Sequence, residues 1–400
     1  KYFIRDRRKR LIIIIDNADQ FKDEIQEQAF LFAHSLAKTS LCGTVISLRE
    51  GYYYKWRFSP PFDAYESNVY HITAPKYSEV LQKRLDFTLE NLNLDDVEIE
   101  AQNAKGYKVK INNQAVIEFL TSLKSSVFSA DNNYIIDFLN QTTYPNIREG
   151  LRVFKLFLTS GHTKVEDYIM RERYRLEDET HSPIPFHEFI KSIGLINKHY
   201  YNSKNSAIHN ILSINENSTD HFLNFYLLKE LVKLYENEGN SNRFIAIEEI
   251  YVLFSSFGYS IKTLRSAILE LINITLIDTD EVLTDIDKKN IPDELNITIT
   301  LKGYYYIKKL CTRFHYLDLI IQDTPIFDKD FFNDIYSKFP LSNEEGKRNL
   351  KSRVESVKSF LKYIESCEEK QSNSLKSYFG SFLEYIEPNL TKDISRIEKN

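Results

Sequence analysis

Glycine and proline are scarce in this chain, 11 and 10 of 400 residues, about half their usual share. A sequence so poor in residues that interrupt regular structure is expected to be rich in helix. No uninterrupted apolar run approaches the roughly 20 residues that cross a bilayer, which excludes a membrane-spanning helix. Cysteine is equally sparse. Cys42, Cys311 and Cys367 are an odd, scattered set with no CxxC spacing, which fits a reducing compartment and makes a cytoplasmic location the expectation. No HExxH, GxSxG or EF-hand pattern occurs, and His181 and His187, around two prolines, lack the spacing of a metal site. The only methionine is Met170 and the first residue is Lys1, so a fragment is expected.

What is present is bulk and aromaticity. A length of 400 residues and 47.2 kDa exceeds one compact domain and suggests about two to four units. Hydrophobic and charged fractions of 42% and 27% are those of a globular protein, and 26 Tyr with 27 Phe supply large ring-filled cores. The net charge of -5 is uneven: residues 1–10 carry six basic groups and one acid, +5, which leaves -10 on the remainder. A mildly acidic body offers no global footprint for nucleic acid. The basic opening RDRRKR is read as solvated.

Leu11 to Ile15 is an apolar, β-branched run ending in Asp16, the pattern of a parallel strand buried on both faces. Gln26 to Thr39 has helical spacing, Thr44 to Leu48 reads as a second buried strand ending in Arg49, and Val69 to Thr73 as a short third one. Strands separated by helix-length segments imply right-handed βαβ units. Ser78 to Asn91, with Ser78 as its cap, Gln114 to Ser125, Asn133 to Asn140 and Ile147 to Ser160 read as helices, with a polar stretch over 93–112 and an exposed connector over 161–182. Helices over 222–236, 245–257 and 260–271, strands over 274–278 and 296–302, and a helix over 304–312 then follow in the order of a winged helix-turn-helix. The remainder alternates helical patterns with breaks at Pro325, Pro340 and Pro388.

The segment LIIIIDNADQ places a carboxylate where α/β folds bind ligands and where P-loop enzymes need an acid for the water shell of Mg2+. Taken with TVISLRE, YHITAPKYSEVLQKRL and YPNIREGLRVFKLFLTSG, it resembles the second half of a P-loop NTPase module of the AAA+/STAND superfamily. The first segment is similar to a Walker B strand and the second to a sensor-1 strand. The resemblance implies ATP and Mg2+ as ligands: Asp16 would organise the metal through water, Ser47 and Arg49 would lie at the nucleotide, Pro75 would contact it, and Arg148 would act as sensor 2. It implies a mainly α protein with an incomplete α/β P-loop NTPase core (1–76), a helical lid (77–165), a connector (166–220), a winged helix-turn-helix domain (221–312) and a C-terminal helical region (313–400).

Two departures qualify the resemblance. Asn17 stands where a Walker B motif often has its catalytic Glu, so hydrolysis would fall to Asp19, Glu27 or Glu50. No GxxxxGK[ST] occurs, and such a loop is expected upstream of Lys1. The winged helix has Lys262 and Arg265 against Glu270, and its wing is acidic from Asp278 to Asp287, which argues against DNA. The leading expectation is a cytoplasmic, bacterial-type nucleotide switch with a homo-oligomer or effector protein as partner; the parent would be an ATPase and the fragment inactive alone. The alternative is a non-enzymatic regulator that uses the winged helix for DNA or protein. The run YYYKWRF after Arg49 is read as a packed flap.

Overall fold

The computed structural model describes the chain apart from residues 1–10, 19–22, 41, 48–67, 95–98, 103–107, 112, 129–132, 175–183, 215–217, 238–242, 282, 284–290, 340–348 and 400. The protein is mainly helical. Two compact units divide it, residues 1–73 with 279–296 and residues 74–278 with 297–400.

The first unit contains β1 (Ile12–Ile15), α1 (Asp23–Ser40) and β2 (Gly43–Ile46). β1 and β2 pair in parallel with Ile12 opposite Gly43 and Ile15 opposite Ile46, and α1, packed on β2, is the crossover that a parallel pair requires. The strands are not buried on both faces as their composition suggested. Exposure alternates along each, and Ile12, Ile14 and Val45 are 62%, 67% and 50% exposed, since among the described residues α1 covers one face only. The expected third strand is absent. Residues 69–73 form no ladder and Ile72 is 95% exposed; a β-branched pattern becomes a strand only where a neighbour takes its N–H and C=O groups.

The second unit opens with α2 (Tyr77–Leu94), the antiparallel pair β3 (Ile99–Gln102) and β4 (Lys108–Ile111), then α3 (Asn113–Phe128), α4 (Asn133–Thr143) and α5 (Ile147–Thr159). The hairpin occupies the stretch read as a polar separator. Ser78 is not a cap but lies inside α2: its N–H donates to Asn140 Oδ1 at 3.0 Å, and Asn140 Nδ2 donates to Ser78 Oγ at 3.3 Å, tying α2 to α4. In α5, Asn146 Oδ1 accepts the Glu149 N–H at 3.1 Å, the side-chain cap that satisfies a first-turn donor. Gly150, Val153, Phe154 and Phe157 are buried along one face, the 3.6-residue period of an amphipathic helix.

α6 (Val165–Arg173) lies in the segment read as an exposed connector. Its Tyr168 is 1% exposed and donates to Glu188 Oε1 at 3.1 Å, so one aromatic anchors an otherwise charged helix. α7 (Phe186–Leu195) closes this group, and its Phe189 ring stands 5.5 Å from Phe138 and 5.4 Å from Phe157. All three rings are fully buried; truncating any one to Ala would cost about 3–5 kcal/mol.

Next come α8 (Leu223–Glu236), β5 (Ile245–Ala246), α9 (Ile247–Ser255), α10 (Ile261–Asn273), β6 (Ile277–Thr279), β7 (Asn296–Ile299) and α11 (Leu301–Tyr305). The strands form one sheet in the order β5-β7-β6. Gly303 is required where α11 leaves the sheet, since a Cβ there would sit 2.2 Å from the Leu276 carbonyl oxygen. α11 continues into a π turn, Tyr306–Leu310, closed by the Cys311 N–H donating to the Tyr306 carbonyl at 2.9 Å. α12 (Phe314–Ile320), α13 (Lys329–Tyr336), α14 (Leu350–Glu369), α15 (Asn373–Phe379) and α16 (Phe382–Lys399) complete the chain. The expected break at Pro388 does not occur. α16 runs through it, held by buried Phe382, Ile386 and Leu390 on either side. Among the described residues no helix is long and apolar enough to cross a membrane.

Candidate functional site

Parallel pairing fixes where the first candidate groups stand. The ladder runs past β2, with the Ser47 N–H donating to the Ile15 carbonyl at 3.0 Å, so Ser47 and Asp16 share the C-terminal end of the sheet. Both are exposed. Asn17 turns the chain sharply there with φ +59°, a left-handed conformation that Asn tolerates better than most residues. Its N–H donates to Asp16 Oδ1 at 2.9 Å and its side-chain amide to Oδ2 at 3.5 Å. A carboxylate has about four acceptor sites, so Asp16 retains capacity for the water shell of a cation. Asp19, Arg49, Glu50 and the YYYKWRF run lie outside the described residues.

Pro75 and Arg148 belong to the second unit, and both are exposed. Pro75 precedes α2, and Arg148 is in the first turn of α5. These two helix starts are in contact: a Cβ on Gly150 would lie 2.3 Å from Tyr77 Cδ2 and 2.9 Å from Thr143 Oγ1. The structure therefore brings Asp16 together with Ser47, and the helix start beside Pro75 together with that of Arg148.

No protein-family model, curated protein or solved structure matches the chain. The side chains alone must therefore carry the functional reading. Among the described residues no group of three or more His, Cys, Asp or Glu could hold a metal. Asp16 and Ser47 supply too few oxygens to cage an ion; Mg2+ at these strand ends would be met by Asp16 through water, and when bound such an ion would neutralise phosphate charge.

A second polar cluster, which the sequence reading did not single out, links α5 to the start of α11. Glu149 pairs with Arg152 through bonds of 2.7 and 2.5 Å. The Arg152 guanidinium holds the Glu149 carboxyl below its ordinary range. Lys302 donates from Nζ to the Ile274 carbonyl at 2.8 Å and to Thr275 Oγ1 at 3.2 Å. Burial pushes the Lys302 amine down to about 8, against the pull of the Glu149 carboxylate. Burial likewise pushes the His209 imidazole down to about 3, with Lys302 and Arg152 adding repulsion. The signal for Glu149 and Arg152 was present as an i, i+3 acid and base pair. Nothing in sequence places Lys302, 150 positions further on, beside them.

Proposed function

We propose that these residues belong to a nucleotide-dependent switch of the AAA+/STAND kind, with ATP and Mg2+ at the C-terminal end of β1 and β2. The reading is carried by one observation, the parallel β1 and β2 pair with Asp16 and Ser47 at the same end, where open α/β sheets bind their ligands. Asp16 would orient the water around the metal, and Arg49 and Arg148 would read the terminal phosphate. Pro75 would pack at the base.

Helix α8 through the π turn supports the second half of the reading as a winged helix, with β6 and β7 as its wing. The Glu149 carboxylate acts electrostatically on Lys302, which supports a coupling between the lid helix and that domain. A shift of α5 on nucleotide binding would change the field of Glu149 at Lys302. Two ligand states that bias one such joint couple reciprocally. The consequence would be a changed surface for a homo-oligomer or an effector protein. With Asn17 in place of a catalytic Glu, hydrolysis would depend on Asp19, Glu27 or Glu50, or be slow.

The test uses the full-length natural protein. Titration with Mg2+ and ATP is expected to give saturable binding that weakens roughly tenfold or more in Asp16→Ala, the loss of one charge-assisted contact. Binding that is absent, or indifferent to Asp16, refutes the reading.

A further inference from the structure

The second unit holds a cleft that the proposed nucleotide site does not use. Its volume is about 690 Å³, within the range of about 300–1,000 Å³ typical of small-molecule sites. Helix α4 supplies Tyr134, Asp137 and Asn140, α7 supplies Phe186, and the π turn with the residues after it supplies Lys308, Lys309 and Arg313. Three cations line it, and three acids, Asp137 in the lining with Glu236 and Asp393 beside it, balance their charge.

Lys308 and Lys309 lie in the π turn, and Arg313 follows it as the extended residue that begins α12. Each cation is held by an acid: Lys308 by Glu236 at 2.8 Å, Lys309 by Asp137 at 2.5 Å, and Arg313 Nε by Asp393 at 2.8 Å. An ammonium has three donors and a guanidinium five. Each group therefore keeps further N–H bonds for a ligand while its direction is fixed in advance, the preorganisation that tight sites need.

The aromatic half is equally ordered. The Tyr134 and Phe186 ring centroids are 6.0 Å apart, and the Arg313 guanidinium lies 5.7 Å from the first and 6.0 Å from the second. Tyr134 is 52% exposed, so a planar group can reach its face, and bases stack on such rings with little regard to their identity. Two aromatic rings, tilted 45° to each other, beside three cations with donors to spare point to one ligand chemistry. We infer that this cleft is a second small-molecule site, one that binds a nucleoside monophosphate with its base on Tyr134, edged by Phe186, and its phosphate on Lys308, Lys309 and Arg313.

The experiment is calorimetric titration of the whole chain with AMP, GMP, CMP and UMP without Mg2+, alongside ribose 5-phosphate. At least one nucleotide is expected to saturate, with ribose 5-phosphate at least about tenfold weaker for want of stacking. Lys308→Gln and Tyr134→Ala, partly exposed positions at which the fold should survive, are each expected to weaken it by roughly tenfold or more with the thermal midpoint unchanged. Asp16→Ala should leave it as in wild type, which separates this site from the strand-end site whatever becomes of that reading. The inference is overturned if no nucleotide saturates at millimolar concentration, if ribose 5-phosphate binds as well as the best nucleotide, if both variants bind like wild type, or if Asp16→Ala abolishes binding. Capture of an oligonucleotide or acidic peptide without any mononucleotide binding would also overturn it.

Discussion

Single residues carry the sharpest consequences. Gly150 has no room for a methyl group, with Tyr77 Cδ2 at 2.3 Å from where its Cβ would stand. Gly150→Ala is therefore expected to destabilise the protein by about 1–3 kcal/mol, the usual cost of overpacking, read as a lower urea midpoint. Lys302 makes a pH prediction. Its amine is pushed from 10.5 to about 8 in the fold, so between those values the unfolded chain binds more protons and stability gained from this group rises with pH. The difference in unfolding free energy between wild type and Lys302→Met should accordingly grow from pH 8 to 10.5; a flat difference would show that the amine is not desolvated. His209 and His315 act at the acid end. Burial pushes both from 6.5 to about 3, so stability is lost as pH falls from 6.5 toward 3. Chemical denaturation of the double variant His209→Gln, His315→Gln should show a shallower loss.

Helices and strands depend on their caps and their neighbours. Ser260 begins α10 and its hydroxyl accepts the Thr263 N–H at 3.1 Å; Ser260→Ala is expected to cost about 1 kcal/mol, measurable as a fall in thermal midpoint. That cap was legible because Ser at the head of an apolar period has a local cause. Ser78 had the same appearance and a different role, since Asn140, 62 positions away, takes its N–H. Strands show the same division. The β-branched runs at Ile12 and Thr44 pair, while the equally strand-like VYHIT forms no strand and leaves Ile72 exposed. Local pattern gives a strand its eligibility, and a partner gives it its hydrogen bonds. The α6 helix was missed for the converse reason, its charged sequence depending on Tyr168 reaching a site that only the packing of α3 and α7 creates.

At the scale of the molecule, charge decides between partners. The loop from Asp278 to Asp287 carries five acids before any base, and repulsion from phosphate outweighs Lys262 and Arg265. Fluorescence anisotropy is therefore expected to show no binding of duplex DNA at physiological salt; salt-sensitive binding lost on reversing Lys262 and Arg265 would instead favour the regulator reading. By itself, the sequence determined that the protein is mainly helical, where most helices lie, and that Asp16 ends an apolar strand, because capping, periodicity and the shortage of glycine and proline act within a few residues. Only the tertiary structure decided that the sheet is exposed on one face, that the field of Glu149 reaches Lys302, and that Lys308, Lys309 and Arg313 line one cleft with Tyr134 and Phe186. The second and third outcomes depend on segments more than a hundred residues apart, and no local pattern encodes which distant surface a side chain will meet.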